Sequence, residues 1–347
     1  MKSIMFLTHM MSMGFGVSVV VHELCKALTA IGHSVCVGTL QSDYKINNVQ
    51  TYIVGPDSEK IRNIAVYNNV DVIIAHTSPY FEILPALKNW FECWVWEHGD
   101  PSPDFFTDDK EDRKNIIQNK QLNVYPNING IITISKFVSH DTGCIKSEIV
   151  YNGCDHMEDF GKKSENEIDL SFKNPLKIGT LMRLGQGEAL YKGNELFLKL
   201  CGKLKTVGIN AEFCIMGRGE RQDALAFSDN GFTVHLNASD EERAKYLREL
   251  DIFISPSLWE GFNLPIAEAM RSGTLTAVFD VGAHPEVCPF IFSGVDEMVT
   301  FILFQNQNRE LLRQNSERCY DYVNRKFSWE QAAANMVMII FDDEDDE

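Results

Sequence analysis

Short apolar runs alternate with amphipathic stretches along most of the chain. Residues 3–9 (SIMFLTH) are almost continuously apolar and end polar, the pattern of a strand buried on both faces. From about Ser18 to Ala30 the apolar positions Val20, Leu24, Ala27 and Leu28 recur at helical spacing, and Gly32 supplies a stop. Residues 34–40, 71–77, 93–98 and 130–135 repeat the strand pattern. Apolar strands separated by helices predict a parallel sheet covered on both faces.

The alternation stops after Tyr151-Asn152-Gly153. The stretch that follows, DHMEDFGKKSENEIDLSFKNP, is polar and has no period. It predicts a linker at 156–175 between a first domain, 1–155, and a second, 176–326. The second alternation has strands at 176–181, 211–217, 251–257 and 274–280. Its helices lie at 194–208 and at 239–250, the latter opened by a Ser-x-x-Glu capping box. A further helix enters at Pro265 and stops near Gly273, and helical patterns fill 295–341. Open parallel sheets bind ligands beyond the carboxyl ends of their strands, so the cleft between two such units is the expected site.

Charge narrows the function classes. The chain has 347 residues, with 32 basic against 49 acidic side chains and a net charge of −17. That balance argues against nucleic acid as a partner and against docking on anionic lipid. Any membrane association is expected to be peripheral and to run through a partner. Residues 342–347 (DDEDDE) read as a solvated acidic tail. Nine cysteines occur without a CxxC pair and in apolar contexts, which reads as a reducing compartment. His9 and Gly14 interrupt the apolar N-terminus, and no small-residue cleavage site follows. A cytoplasmic location is therefore expected.

Candidate chemistry gathers after strands. In SPSLWEGFNLPIAEAMRSG (255–273), Glu260 sits in a loop and Glu268 about one turn into the helix that Pro265 opens. The backbone N–H groups of the 261–266 turn suit an anion or a hydroxylated ligand. In GTLMRLGQGEALYKGNELF (179–197), Arg183 follows a strand and Lys192-Gly193 precedes a helix, an arrangement that can clamp a diphosphate. Gly14 and Gly16 precede the first helix, but Val19 stands where a dinucleotide fingerprint has its last glycine. His98 ends a strand in WVWEHGDP, and His76 ends another. Trp90, Trp94 and Trp96 offer stacking surfaces, although burial is the commoner fate of such rings. Ser135 lies at a strand end, as do Gly217 and Gly219 in MGRGE. No G-x-S-x-G elbow, P-loop, H-E-x-x-H or Asp-x-Asp strand-end pair is present, so the sequence requires no metal.

The Glu-x(7)-Glu element in its P-S-x-x-E-G-F-N-L-P-x-x-E-A-M setting resembles the retaining GT-B glycosyltransferases of family 4, the glycosyl transferases of group 1. Arg183 matches their G-R-L strand end, Lys192-Gly193 their K-G pair, and VYNGCD (150–155) their P-N-G-V-D. Asn263 stands where that family usually has glycine, a change that would narrow the sugar pocket or add a donor group. The resemblance spans most of the chain. It implies two Rossmann-like domains facing a central cleft, an acceptor side at 1–155 and a nucleotide-sugar side at 176–326. It also implies a last helix, 327–341, that crosses back to the first domain.

By the same resemblance, Glu260, Arg183, Lys192 and His98 form the catalytic set. Gly14, Gly16, Gly217, Gly261, Phe262, Asn263, Leu264 and Glu268 hold the donor, Glu268 through its ribose hydroxyls, while Trp96 and Ser135 are weak acceptor candidates. The implied activity is metal-independent, front-face transfer of a hexose from a UDP- or GDP-linked sugar to a saccharide or glycoconjugate acceptor. That places the chain in polysaccharide or glycoconjugate biosynthesis, with the nucleotide sugar as co-substrate and no other cofactor. Two alternatives stay open: a non-catalytic subunit of the same fold that binds sugars or a partner, and an NAD-dependent dehydrogenase built on the glycine turns at 14–16 and 217–219.

Overall fold

Seven parallel strands build the sheet of an N-terminal unit: β1 (Ser3–Met11), β2 (Ser34–Ser42), β3 (Gln50–Ile53), β4 (Val72–Ala75), β5 (Glu92–Glu97), β6 (Gly130–Thr133) and β7 (Glu148–Ile149). Their order is β3-β2-β1-β4-β5-β6-β7, the doubly wound order that reverses direction beside β1. Phe6 of β1 lies between Val37 and Ile74, all three fully buried. This computed structural model describes residues 1–341 except 13, 145, 165–166, 171 and 186–187; the acidic run 342–347 lies outside the described residues. Among the described residues, the N-terminal unit comprises those in 1–100, 109–153 and 328–341. Its first helix, Gly16–Ala30, buries Val20, Val21, Leu24, Cys25 and Leu28 on one face. The last helix, Trp329–Phe341, belongs to this unit, packs on that first helix, and ends with Phe341 stacked 6.5 Å from the His33 ring.

A C-terminal unit, residues 101–108 and 154–327, has six parallel strands: β8 (Leu176–Arg183), β9 (Ala211–Arg218), β10 (Thr233–Leu236), β11 (Ile252–Ser255), β12 (Leu275–Phe279) and β13 (Ile291–Phe292). Their order, β10-β9-β8-β11-β12-β13, again reverses beside the first strand of the unit. The carboxyl ends of β8 and β11 therefore flank a switch point, where such sheets take ligands. No helix among the described residues is long and apolar enough to cross a membrane.

Two expectations change. The stretch 156–175 is not a free linker but part of the C-terminal unit. The Arg248 guanidinium holds Glu167 through two bonds of 2.8 Å, and it also donates to the carbonyls of Gly161 (2.7 Å) and Ser272 (2.9 Å). Buried Lys163 donates to the Leu250 carbonyl, and Ile168 is buried too. Cations that satisfy carbonyls of a polar segment leave no periodicity to read. Residues 101–108 likewise belong to the C-terminal unit rather than to the domain 1–155, because the rings of Phe105 and Phe106 lie 6.0 and 5.8 Å from Tyr191.

Candidate active site

The C-terminal unit presents two groups of functional side chains. The first surrounds Tyr191, beyond the ends of β8 and β11. Lys192 Nζ donates to Glu260 Oε1 at 2.8 Å, and Ser257 Oγ donates to the same oxygen at 2.7 Å. Arg183, the last residue of β8, donates to Glu188 Oε1 at 2.5 Å. The Tyr191 hydroxyl reaches that same Glu188 oxygen at 3.4 Å. Burial pushes the Tyr191 phenol well up, and the negative charges of Glu188 and Glu260 push it further, so both carboxylates act on this one ring. Lys192 also lies 5.0 Å from the ring centre.

The backbone explains the Lys-Gly spacing. Gly193 has φ 75°, and a Cβ there would sit 2.0 Å from the Pro256 carbonyl oxygen. Only glycine lets this turn lie flat on the loop after β11, where Leu258 N donates to the Tyr191 carbonyl at 2.7 Å. That contact fixes Lys192 against Glu260.

Asn263 caps the helix Leu264–Arg271 in the left-handed region (φ 70°), which asparagine, like aspartate, tolerates better than most non-glycine residues. Its side chain turns inward, donating to Ser255 Oγ at 2.9 Å and meeting His284 Nε2 at 3.2 Å. Since the amide donates, Nε2 accepts, and the proton lies on Nδ1, 2.9 Å from the Phe279 carbonyl. Burial holds this imidazole below its usual range, consistent with a neutral ring. The Asn263 side chain is thus spent on the interior rather than offered as a donor to a sugar.

The second group surrounds Glu268, which is 1% exposed. His156 Nε2 lies 3.0 Å from Oε1, and Arg243 Nη1 lies 3.5 Å from the same oxygen. Glu268 Oε2 is buried with no hydrogen-bond partner. Burial raises this carboxyl, but the Arg243 guanidinium and the His156 bond outweigh it and hold it below the ordinary carboxylate range. Sequence reasoning missed His156, Arg243 and Ser257. Only His156 carried a signal, by following VYNGCD directly.

In the N-terminal unit His98 follows β5, and its Nε2 lies 3.1 Å from His76 Nδ1. Burial pushes His98 down to about 4, and burial plus the neighbouring ring keeps His76 well below its usual value. Beside them Lys120 Nζ donates to Glu97 at 2.9 Å and to Asp100, while Tyr125 donates to Glu97 at 2.6 Å.

Several predicted site residues serve structure instead. Trp96 is fully buried and stacks on His76 with ring centres 5.5 Å apart, so it has no face for an acceptor sugar. Ser135 is fully buried and accepts from Val138 N as a helix cap. Phe262 is 2% exposed and lies edge-on to Phe327 at 5.2 Å, and Leu264 is buried. Gly217 is a close-packing position between β8 and β9, since a Cβ there would lie 2.3 Å from the Met182 carbonyl; this removes one support for the dehydrogenase alternative. Gly14 (φ 82°) lies in the turn before the first helix and Gly16 is that helix's first residue. Gly261 is buried in the turn after Glu260.

Residues 178–320 match the family model of the glycosyl transferases group 1. That match lies within the C-terminal unit, which is thus similar to the glycosyl transferases group 1. Protein CapJ of Staphylococcus aureus is 24% identical to this chain over 247 residues, 66% of the chain and 59% of CapJ. The MMP alpha-(1->4)-mannosyltransferase of Mycolicibacterium hassiacum is 34% identical over 109 residues, 29% of the chain and 26% of that protein. The chain thus spans less than two thirds of the length of either relative. The crystal structure of Anabaena HepE in complex with UDP and glucose shares the fold with a TM-score of 0.76 at 14% identity, covering 98% of this chain and 99% of that one. The architecture is the GT-B fold of two parallel-sheet α/β domains.

Proposed function

We propose that the chain transfers a hexosyl group from a UDP- or GDP-linked sugar to a saccharide or glycoconjugate acceptor, with retention at the anomeric carbon and without a metal. The observation that carries this reading is the grouping of Lys192, Glu260 and Arg183 about Tyr191, beyond β8 and β11. Two cations there meet the charge that grows on the departing diphosphate, each donor contributing about 3–4 kcal/mol to the barrier reduction. Glu260 holds Lys192 in place before the ligand arrives, and Glu268 accepts from the ribose. The bond from the anomeric carbon to the phosphate oxygen breaks, and the acceptor hydroxyl oxygen bonds to that carbon on the same face. Its proton passes to the departing phosphate oxygen, so no protein nucleophile is needed. The acceptor is assigned to the N-terminal unit, where His98 follows β5. The UDP and glucose of HepE and the mannosyl transfer in the name of the second relative agree with this substrate class.

The test is a thermal-shift screen of the full chain with UDP, GDP, ADP and dTDP sugars, followed by determination of the product anomer. A true donor at a hundredfold excess over Kd stabilises by about 2.7 kcal/mol. No shift with any nucleotide sugar, or an inverted product, overturns the reading.

A further inference from the structure

The Glu268 carboxylate is held asymmetrically. Oε1 receives the His156 ring at 3.0 Å, whereas buried Oε2 has no partner. Leaving a charged acceptor unpaired in the interior is costly, and that cost is recovered when a hydroxyl donates to it. Of its two basic neighbours, His156 lies within hydrogen-bond distance and Arg243 lies farther off. The Arg243 contacts to carboxylates are long, 3.3 Å to Asp240 and 3.5 Å to Glu268, and its Nε is itself buried without a partner. Charge-assisted hydrogen bonds normally fall at about 2.7–2.9 Å, so this guanidinium is the loosely held member of the cluster.

We infer that His156 is a positioning residue for Glu268. It anchors Oε1 and thereby presents Oε2 as a single, directed acceptor for one ribose hydroxyl, while the Arg243 side chain shifts to admit it. The partnerless Oε2 and Nε are one acceptor and one donor in the same cluster, and a vicinal diol supplies both complements. His156 thus makes the site selective for ribonucleoside over 2′-deoxyribonucleoside diphosphates. This rests on the assignment of Glu268 to the ribose under the proposed function.

The experiment measures calorimetric Kd values of the full chain for UDP and 2′-deoxy-UDP, and for GDP and 2′-deoxy-GDP. Wild type, His156→Ala, His156→Gln and Glu268→Gln are compared, with near-ultraviolet circular dichroism reporting their folding. The wild type is expected to prefer the ribonucleotide by about tenfold or more. His156→Ala should bind the deoxynucleotide with little change and lose most of that preference. His156→Gln, whose amide can still donate to Oε1, should restore it. A folded His156→Ala with the full wild-type preference overturns the inference, as does a His156→Gln that behaves like His156→Ala. A Glu268→Gln that keeps the preference instead overturns the ribose assignment itself, and absence of nucleotide binding to the wild type overturns the proposed function along with it.

Discussion

Two lysines, one in each unit, illustrate how similar ion pairs serve different ends. Lys120 is 2% exposed and bonds Glu97 and Asp100, with Tyr125 and Gly99 N completing the shell of Glu97. Burial lowers the Lys120 ammonium, but the two carboxylates overcome this and push it well above its ordinary value, while Glu97 is held below its own. Lys192 is 20% exposed and spends one hydrogen on Glu260. The first network is closed on itself and holds the segment after β5. The second leaves ammonium hydrogens beyond the one on Glu260, and the proposed function gives these to the diphosphate. An ion pair alone does not mark a site; spare donors at an accessible strand end do.

The largest effect expected from breaking this comparison is on stability. Lys120→Met strands the buried Glu97 carboxylate and removes the cation beside half-buried Asp100, and loss of one partner of a buried pair costs about 3–5 kcal/mol. Calorimetric unfolding should show the loss, and an unchanged profile would contradict a structural role. Lys192→Met should leave folding nearly intact yet slow transfer by about 100- to 1000-fold. A variant with wild-type turnover would place the leaving-group cation elsewhere.

The pH response separates the units next. His98 is brought from 6.5 to about 4 on folding. Between those values the unfolded chain takes up a proton that the folded chain refuses. Stability therefore falls as pH drops from about 6.5 to about 4, by up to about 1.4 kcal/mol per pH unit for this group. His98→Asn should flatten the slope by that share, and an identical slope in the variant would show that His98 does not titrate this way. The smallest effect is expected at Asn263. Glycine accepts the same left-handed backbone, so Asn263→Gly forfeits the bonds to Ser255 and His284 but relieves strain, a net change within about 1–2 kcal/mol by denaturant titration.

Much of the scaffold was legible because fully buried parallel strands write continuous apolar runs, as in residues 3–9 and 251–257. The short strands β3, β7, β10 and β13 were not, since two to four residues at or near sheet edges carry no period. Among site residues, Glu260, Glu268, Arg183 and Lys192 stood out by spacing, and the structure joins Lys192 to Glu260. Their immediate partners did not stand out: His156 and Arg243 reach Glu268 across 112 and 25 positions of sequence. Trp96 and Ser135 misled for a related reason. A strand end reads the same whether its side chains face a ligand or the core.

The most direct measurement is calorimetric titration of the full chain with UDP and GDP at one fixed salt concentration, wild type beside Lys192→Met. Saturable binding of at least one nucleotide, weakened at least tenfold in the variant, is the predicted result. Binding of neither nucleotide, or equal affinity in both proteins, would contradict the assignment of Lys192 and its neighbours to the diphosphate.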